Sequence, residues 1–582
     1  MKIDIIRHSL SHIMAHAVKN TYGNVKLGIG PTIENGFYYD FALPVEASGE
    51  GGAFLPGDLP RIEKRMRELI KQNIKFEKSF ATKEQAKKIF KDQPYKLELI
   101  KDLSAKKVTI YKSEEFTDLC AGPHVKTTKE INPDAFKLTK IAGAYWRGSE
   151  KNPMLQRIYA VAFETKNELD NYLKQIEEAE KRDHRVLGKK LDLFVFSDLV
   201  GKGLPLFTEK GSIIRREMER FIIDEEIKRG YKHVYTPDIA KVDLYKKSGH
   251  YPYYKDSMYP VMKIEGEELI LRPMTCPHHF QLYASRPRSY KELPMRIAEL
   301  AKQFRYEKSG ELSGLFRVRL FCLADAHIIC KKEQASDEIN GVLDLIEFVA
   351  DALGLEKIKD FRYRLSLGDR KDNKKYYKDD KAWSFAENVL RTVLKQRKAP
   401  FFEAKGEAAF YGPKIDIQMK DFSGKENTAF TVQYDFVMPK RFELTYIDKD
   451  GSKKEAIVIH RSSIGAIERV MAFLIEHYAG ALPFWLSPVQ VEILPVGEKH
   501  RNFAQKIRNI FAENKFRVEA DESDETLGKK IREAELQKIP YIIVVGDKEM
   551  NSNNLAVRSR GKKEIETIDI DKFIEKIKKE LK

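Results

Sequence analysis

Cysteine is scarce in this chain, 4 in 582 residues. A disulfide framework is therefore excluded as the source of stability, and a reducing, cytoplasmic setting is expected. No CxxC pair occurs, so spacing alone gives no zinc-ribbon signature. Long apolar runs are missing as well. None approaches the roughly 18 residues that span a bilayer, and the N-terminus, MKIDIIRHS, lacks the apolar core of a signal peptide. Internal repeats and low-complexity tracts are also absent. What remains is a globular, multidomain protein with no membrane partner. The hydrophobic content of 42% fills its cores, and a length of 582 residues suggests three or four domains. Lys+Arg 104 against Asp+Glu 88 gives a net charge of +16. That excess fits a polyanionic partner such as nucleic acid, although a lysine-rich composition in general would give the same balance.

The most informative stretch is FRYEKSGELSGLFRVRLFCLADAHIIC, from Phe304 to Cys330. It reads as two antiparallel strands around a Gly/Ser turn, with Arg317, Arg319 and Phe321 on one face of the returning strand. Guanidinium groups grip phosphate oxygens in a bidentate fork, and a ring stacks on a base, so a nucleoside triphosphate suits this hairpin. A basic surface hairpin is the bland alternative. At the N-terminus, RHSLSHIMAHAVKN reads as a helix that projects His8, His12 and His16 from one face. Far downstream, DLCAGPHV sets Cys120 and His124 four apart, one turn if the segment is helical. Two such pairs line a hydrolytic pocket or ligate a metal.

Between them, glycines at Gly49, Gly51, Gly52 and Gly57 mark a loop. LPRIEKRMRELIKQN and ATKEQAKKIFKDQ then read as amphipathic helices on a small sheet. ETKNELDNYLKQIEEAEKRDHRVLGKKL is a charged connecting helix. GSIIRREMERFIIDEEIKRGYKHVYTPDI is a long helix followed by a strand ending at Pro237. After LPFWLSPVQVEILPVG, apolar strands alternate with helices, as in a small α/β domain with a mainly parallel sheet.

Arg-x-Glu, a loop, then Arg-x-x-x-Phe resembles motif 2 of the class II aminoacyl-tRNA synthetases. RPMTCPHH upstream, DAHIIC, and IHRSSIGAIER downstream narrow the resemblance to the threonyl-tRNA synthetase family, over nearly the whole chain. It implies a multidomain α+β and α/β protein: an N-terminal α+β editing domain (1–166), a connecting helix (167–190), a class II catalytic core built on an antiparallel sheet (191–486) and a C-terminal α/β anticodon-binding domain (487–582). The small domain that many members carry ahead of the editing motif is expected to be absent.

The same resemblance implies roles. Arg305 holds the α-phosphate of ATP and the threonine carboxylate, Glu307 reads the adenine amino group, Arg317 and Arg469 take the γ-phosphate, and Phe321 stacks on adenine. Lys414 steadies the α-phosphate. Tyr411 and Gln433 contact substrate, and Asp325 accepts its hydroxyl proton. Cys276, His327 and His460 hold one zinc per subunit, with His278, His279, Cys322 and Cys330 as nearby alternatives. Magnesium arrives with ATP. His8, His12, Cys120, His124 and Asp118 form the editing site, generally metal-free in this family, with zinc as the alternative because alanyl relatives carry one on the same pattern. Glu549 and Arg558 read the anticodon. Expected partners are tRNA(Thr), ATP, L-threonine and a second copy of the chain, a homodimer through the long helix of motif 1. Cys322, Leu323, Thr428 and Ala466 depart from the familiar bacterial pattern. Two other readings remain: a tRNA-binding regulator without activation chemistry, and a free-standing hydrolase of aminoacyl esters.

Overall fold

The computed structural model describes residues 2–43, 53–372, 374–421 and 426–581. Gly49, Gly51 and Gly52 of the expected loop lie outside the described residues; Gly57 directly precedes a helix. The chain forms two compact units, Met1–Glu177 and Glu178–Lys582. The helix Lys166–Arg182 runs from one into the other.

In the first unit the opening helix, Lys2–Tyr22, buries Ile6, Leu10, Ile13, Met14 and Ala17, the periodicity of one apolar helical face. Its core partners come from the strands Gly36–Ala42, Phe136–Tyr145 and Met154–Ala162, an antiparallel sheet, and from the helix Asp58–Lys71 through Ile62, Met66 and Leu69. A second sheet joins Glu77–Thr82, Lys107–Ser113 and Phe116–Leu119. Alternation along its last strand buries Phe116 and Asp118 together. The residues that follow, Cys120 to His124, form a loop rather than the helical turn that their spacing allowed. Gly122 at φ +72° followed by Pro123 is incompatible with a helix there.

The second unit is organised around an eight-stranded sheet. Its inner strands, Met295–Phe304, Leu320–Cys330, Ile457–Ala466, Glu426–Asp435, Lys414–Lys420 and Phe361–Leu367, pair antiparallel in that order. Lys232–His233 and Phe401–Lys405 pair parallel at the two edges. Strand periodicity divides Leu320–Cys330 cleanly. Cys322, Ala324, Ala326, Ile328 and Cys330 enter the main core beneath the helices Glu209–Lys228, Ala335–Ala352 and Ile467–His477. Asp325 and His327 therefore face the opposite side.

Two strand expectations are corrected. The returning strand of the hairpin starts at Leu320, so Arg317 and Arg319 lie in the preceding loop. Arg319 N–H donates to Gly203 O at 2.8 Å, a bond to a segment outside the hairpin, and this ends the ladder. After the motif 1 helix only Lys232–His233 pairs as a strand, short of the run to Pro237.

At the C-terminus the strand order is Val518–Ala520, Val491–Pro495, Tyr541–Val545, Asn554–Ser559, Ile565–Asp569. The first three are parallel and the last two antiparallel, so the sheet is mixed.

Candidate active site and a second histidine–cysteine cluster

Register across the large sheet assembles the first site. His327 is the cross-strand partner of His460, His460 of Gln433, and Gln433 of Lys414. Directly opposed residues share a face, so four side chains from four strands stand in one row. Tyr411 reaches the row by donating its hydroxyl to Gln433 Oε1 at 2.6 Å and stacks on His460 with centroids 4.9 Å apart. Lys414 Nζ is held by both oxygens of Asp416 at 2.9 and 2.8 Å.

Cys276 starts the helix Cys276–Ala284 and is buried beside this row. Its sulfur and one nitrogen each of His327 and His460 lie within 4.8 Å of one another. The hydrogen-bond partners decide which nitrogens remain free. Glu299 Oε2 lies 3.2 Å from His279 Nε2, and His279 Nδ1 lies 2.8 Å from His327 Nδ1. Burial opposes ionisation of Glu299, but hydrogen bonds from His279 and Thr236 and the charge of Arg272 outweigh it and bring its carboxyl down to about 2. Glu299 therefore accepts from His279, His279 accepts from His327, and Nε2 of His327 keeps its lone pair. His460 Nε2 donates to Asp435 at 2.7 Å, which frees its Nδ1. Two imidazole lone pairs and a thiol converge, a donor set that fits zinc with a position left for substrate. Asp325 is half-buried in the same place, accepts from Gln303 at 3.3 Å, and desolvation raises its carboxyl.

Beside the triad lies a cavity of about 170 Å³ lined by Arg305, Glu307, Phe316, Arg317, Phe321 and Arg469, among others. Arg305 is half-buried, donates to Gln303 Oε1 at 3.2 Å, packs 5.0 Å over the Phe321 ring and leaves its buried Nε without a partner. Arg469 donates to Phe316 O and Thr428 O at 3.2 and 2.9 Å. Burial weakens the hold of Arg469 on its proton, and Arg305 and Arg317 weaken it further. Arg317 pairs with Glu307 at 2.8 Å. Two carboxylates, Glu307 and Glu468, also line the cavity. Glu468 is taken up by Arg215 at 2.7 Å, which leaves three guanidinium groups against Glu307 and a pocket that an anion completes.

The second cluster lies in the first unit. His8 Nε2 and His124 Nε2 stand 3.2 and 3.4 Å from Cys120 Sγ. His12 Nε2 is 3.8 Å from Asp118. Asp118 also accepts from Tyr39 at 2.6 Å and pairs with Lys96 at 2.6 Å, an ion pair whose side chains are 1% and 2% exposed. Burial, then His12 and His8, push His124 down to about 2, and burial pushes the Cys120 thiol up to about 11. The cluster is thus a set of neutral imidazoles and a protonated thiol beside a fixed ion pair, suited to orienting water. His16 stands apart, stacked on Phe116.

Comparison with known proteins gives the family. Residues 259–478 match the tRNA synthetase class II core domain (G, H, P, S and T), residues 490–580 the anticodon binding domain, and residues 108–159 the threonyl and alanyl tRNA synthetase second additional domain. A threonine–tRNA ligase of Geobacillus sp. (strain WCH70) is 50% identical over 100% of this chain and 89% of its own length. The chain belongs to the threonine–tRNA ligase family. A ligase of the same name from Staphylococcus carnosus is 49% identical over 98% of the chain and 87% of its own length. Among solved structures, the RNA binding domain of threonyl-tRNA synthetase from Cryptosporidium parvum Iowa II is similar at 35% identity and a TM-score of 0.65, covering 69% of this chain and 98% of that one. The putative threonyl-tRNA synthetase ThrRS-1 of Aeropyrum pernix is similar at 31% identity and a TM-score of 0.61, covering 68% of this chain and 94% of that one.

Of the four positions expected to depart from the family pattern, three share one place. Leu323 and Ala466 are cross-strand partners, and both line the arginine cavity with Thr428. Cys322 faces the core instead, where its N–H donates to Glu468. In the C-terminal sheet, Arg558 lies on Asn554–Ser559 with its Nε unpartnered, while Glu549 caps a short helix by accepting from Gly546 N–H at 2.9 Å. Among the described residues no ion pair joins the two.

Three residues were missed from sequence. Lys96 and Tyr39 complete the Asp118 network; the lysine sits in a charged segment that reads as solvated. His250 is buried, bonds Ser248 Oγ through Nδ1 at 2.7 Å and leaves Nε2 without a partner. Burial, then His460 and Arg305, lower it to about 3. No spacing signal marks it. Among the described residues no helix is long and apolar enough to cross a membrane.

Proposed function

We propose that the chain activates L-threonine with ATP to threonyl-adenylate, transfers it to the 3′ end of tRNA(Thr), and hydrolyses seryl-tRNA(Thr) at its second cluster. The carrying observation is the convergence of Arg305, Arg317 and Arg469 on one cavity beside the Cys276, His327 and His460 donors. In the activation step the threonine carboxylate attacks the α-phosphate, and Arg305 and Lys414 offset the charge that develops there. Pyrophosphate leaves toward Arg317 and Arg469. Phe321 and Glu307 take the adenine, and magnesium arrives with ATP.

Cys276, His327 and His460 would hold zinc, which would supply a Lewis acid for the amine and hydroxyl of threonine, a pair of ligands that valine lacks. Asp325 takes the hydroxyl proton, and Tyr411 and Gln433 fix the substrate from the facing strands. Serine keeps the hydroxyl and lacks one methyl, worth about 1–3 kcal/mol of discrimination. That gap is too small, so a second, hydrolytic site follows from the chemistry. His8, His12, Cys120, His124 and Asp118 serve it, with Lys96 and Tyr39 holding Asp118 in place. Glu549 and Arg558 read the anticodon, with the guanidinium free to donate to a base.

We place the editing domain at 1–166, the connector at 167–190, the catalytic domain at 191–486 and the anticodon-binding domain at 487–582, in a cytoplasmic homodimer. The connector is two helices, Lys166–Arg182 and His184–Lys190, broken at Asp183, and not the single helix expected from sequence. Threonine-dependent exchange of ATP with pyrophosphate tests this reading. Exchange with threonine and none with valine supports it. No exchange with threonine leaves the regulator or the free-standing hydrolase.

A further inference from the structure

His184 lies outside the chemistry described so far, yet it is 2% exposed and both its ring nitrogens are committed. It opens the short helix His184–Lys190. Nδ1 lies 2.7 Å from Glu476 Oε1, in the last turn of the helix Ile467–His477, and the backbone N–H of His184 donates to the same oxygen at 3.2 Å. Nε2 lies 3.0 Å from the backbone nitrogen of Leu315. Only one ring state serves both partners. Nδ1 carries the hydrogen and donates to the carboxylate, and Nε2 accepts from the Leu315 N–H. Asp183, His184 and Glu476 resemble a metal-binding group by distance. With both ring nitrogens used, no lone pair is left for an ion.

The two elements tied by this imidazole are the two that carry the outer arginines of the cavity. Leu315 and Phe316 run directly into Arg317. The Phe316 ring meets the His184 ring edge-on at 4.9 Å, and Phe316 O accepts from Arg469 Nε at 3.2 Å. Arg469 stands at the other end of the helix that ends with Glu476 and His477. Gly314 makes the approach possible: it sits at φ +50°, and a Cβ there would stand 2.1 Å from His184 Nε2.

We propose that His184 is a positioning residue for the phosphate pocket. Its imidazole fastens the turn at Gly314–Phe316 to the end of the helix Ile467–His477, and this fixes the separation of Arg317 and Arg469. The inference rests on the reading of those arginines as ligands of the ATP phosphates. Reactant placement is steep in its effect on rate and binding, so a loosened clamp is felt at the nucleotide and spares the amino acid.

The test compares two amides at one position in the full chain. His184→Asn keeps a donor for Glu476 and gives the Leu315 N–H nothing. His184→Gln places an oxygen where Nε2 stood. In threonine-dependent pyrophosphate exchange, His184→Asn is expected to raise KM for ATP about tenfold, with KM for threonine unchanged and kcat changed less. His184→Gln is expected to recover most of that loss, at a melting temperature matching that of the Asn variant. Gly314→Ala approaches the same contact from the other side and is expected to reproduce the shift, which covers the case of an Asn variant that does not fold. Arg469→Gln is measured in parallel. If it leaves KM for ATP unchanged, the phosphate reading falls and this inference falls with it. If it raises KM while His184→Asn and Gly314→Ala do not, or if His184→Gln is as impaired as His184→Asn, only the role of His184 is overturned.

Discussion

His327 and His460 oppose each other across neighbouring strands, their ring centroids 4.6 Å apart and nearly perpendicular. They are far apart in sequence, and only the pairing of Leu320–Cys330 with Ile457–Ala466 brings them to one point. Each ring has its second nitrogen occupied by a buried partner, His279 for one and Asp435 for the other. Such outer partners orient ligands and set their tautomers before any metal arrives.

The zinc prediction follows from that pairing. The purified chain is expected to carry one zinc, measured by metal analysis. Cys276→Ser removes it and abolishes threonine activation while tRNA binding persists. Cys120→Ser is expected to keep it, on the proposal that the second cluster acts without metal. A Cys276→Ser protein that retains both zinc and exchange activity overturns the ligand assignment. Loss of zinc from Cys120→Ser moves a metal into the editing cluster.

Arg558 offers a separable prediction. Arg558→Ala is expected to raise KM for tRNA in aminoacylation about tenfold or more, from a base contact worth about 1–3 kcal/mol. Threonine-dependent exchange is expected to stay within about twofold, since it proceeds without tRNA. Equal loss of both activities means that Arg558 supports the fold.

The buried histidines of the first unit make acid a destabiliser. His12 and His16 are both held below the ordinary histidine value of 6.5, chiefly by burial, His16 to about 4. Below pH 6.5 the unfolded chain takes up protons that the folded unit refuses, so stability falls with falling pH. Each histidine contributes up to about 1.4 kcal/mol per pH unit, and the loss levels off once pH drops below its folded value. Urea unfolding of the chain, followed by a probe in the first unit at pH 7 and pH 5, measures this. His16→Phe is expected to flatten the slope, and an unchanged slope removes His16 from the account.

Much of this was legible in the sequence because it is local. The opening helix, the amphipathic Asp58–Lys71 and the strand–helix step at Ala466 follow from periodicity that neighbouring residues carry. Register across strands is not local, so the row from His327 to Lys414 had no signature of its own. The spacing of Cys120 and His124 misled toward a helix, although the Gly122–Pro123 step between them argued against one. Arg317 and Arg319 alternate like strand residues, but the Gly203 carbonyl takes the Arg319 N–H that a ladder needs. Lys96 is the hardest case. A lysine in a charged segment reads as solvated, and only the buried Asp118 explains why it lies inside. Breaking such a pair costs about 3–5 kcal/mol.

The central claim is a division of labour between two sites, because the first cannot reject serine well. The most direct measurement is serine attached to tRNA(Thr) over time, for the unaltered chain and for His8→Ala/His12→Ala, at matched enzyme concentration and with threonine charging followed in parallel. The account predicts equal threonine charging in both proteins and accumulation of seryl-tRNA(Thr) in the double variant alone. The same low serine level in both would contradict it and leave the cluster without a part in editing.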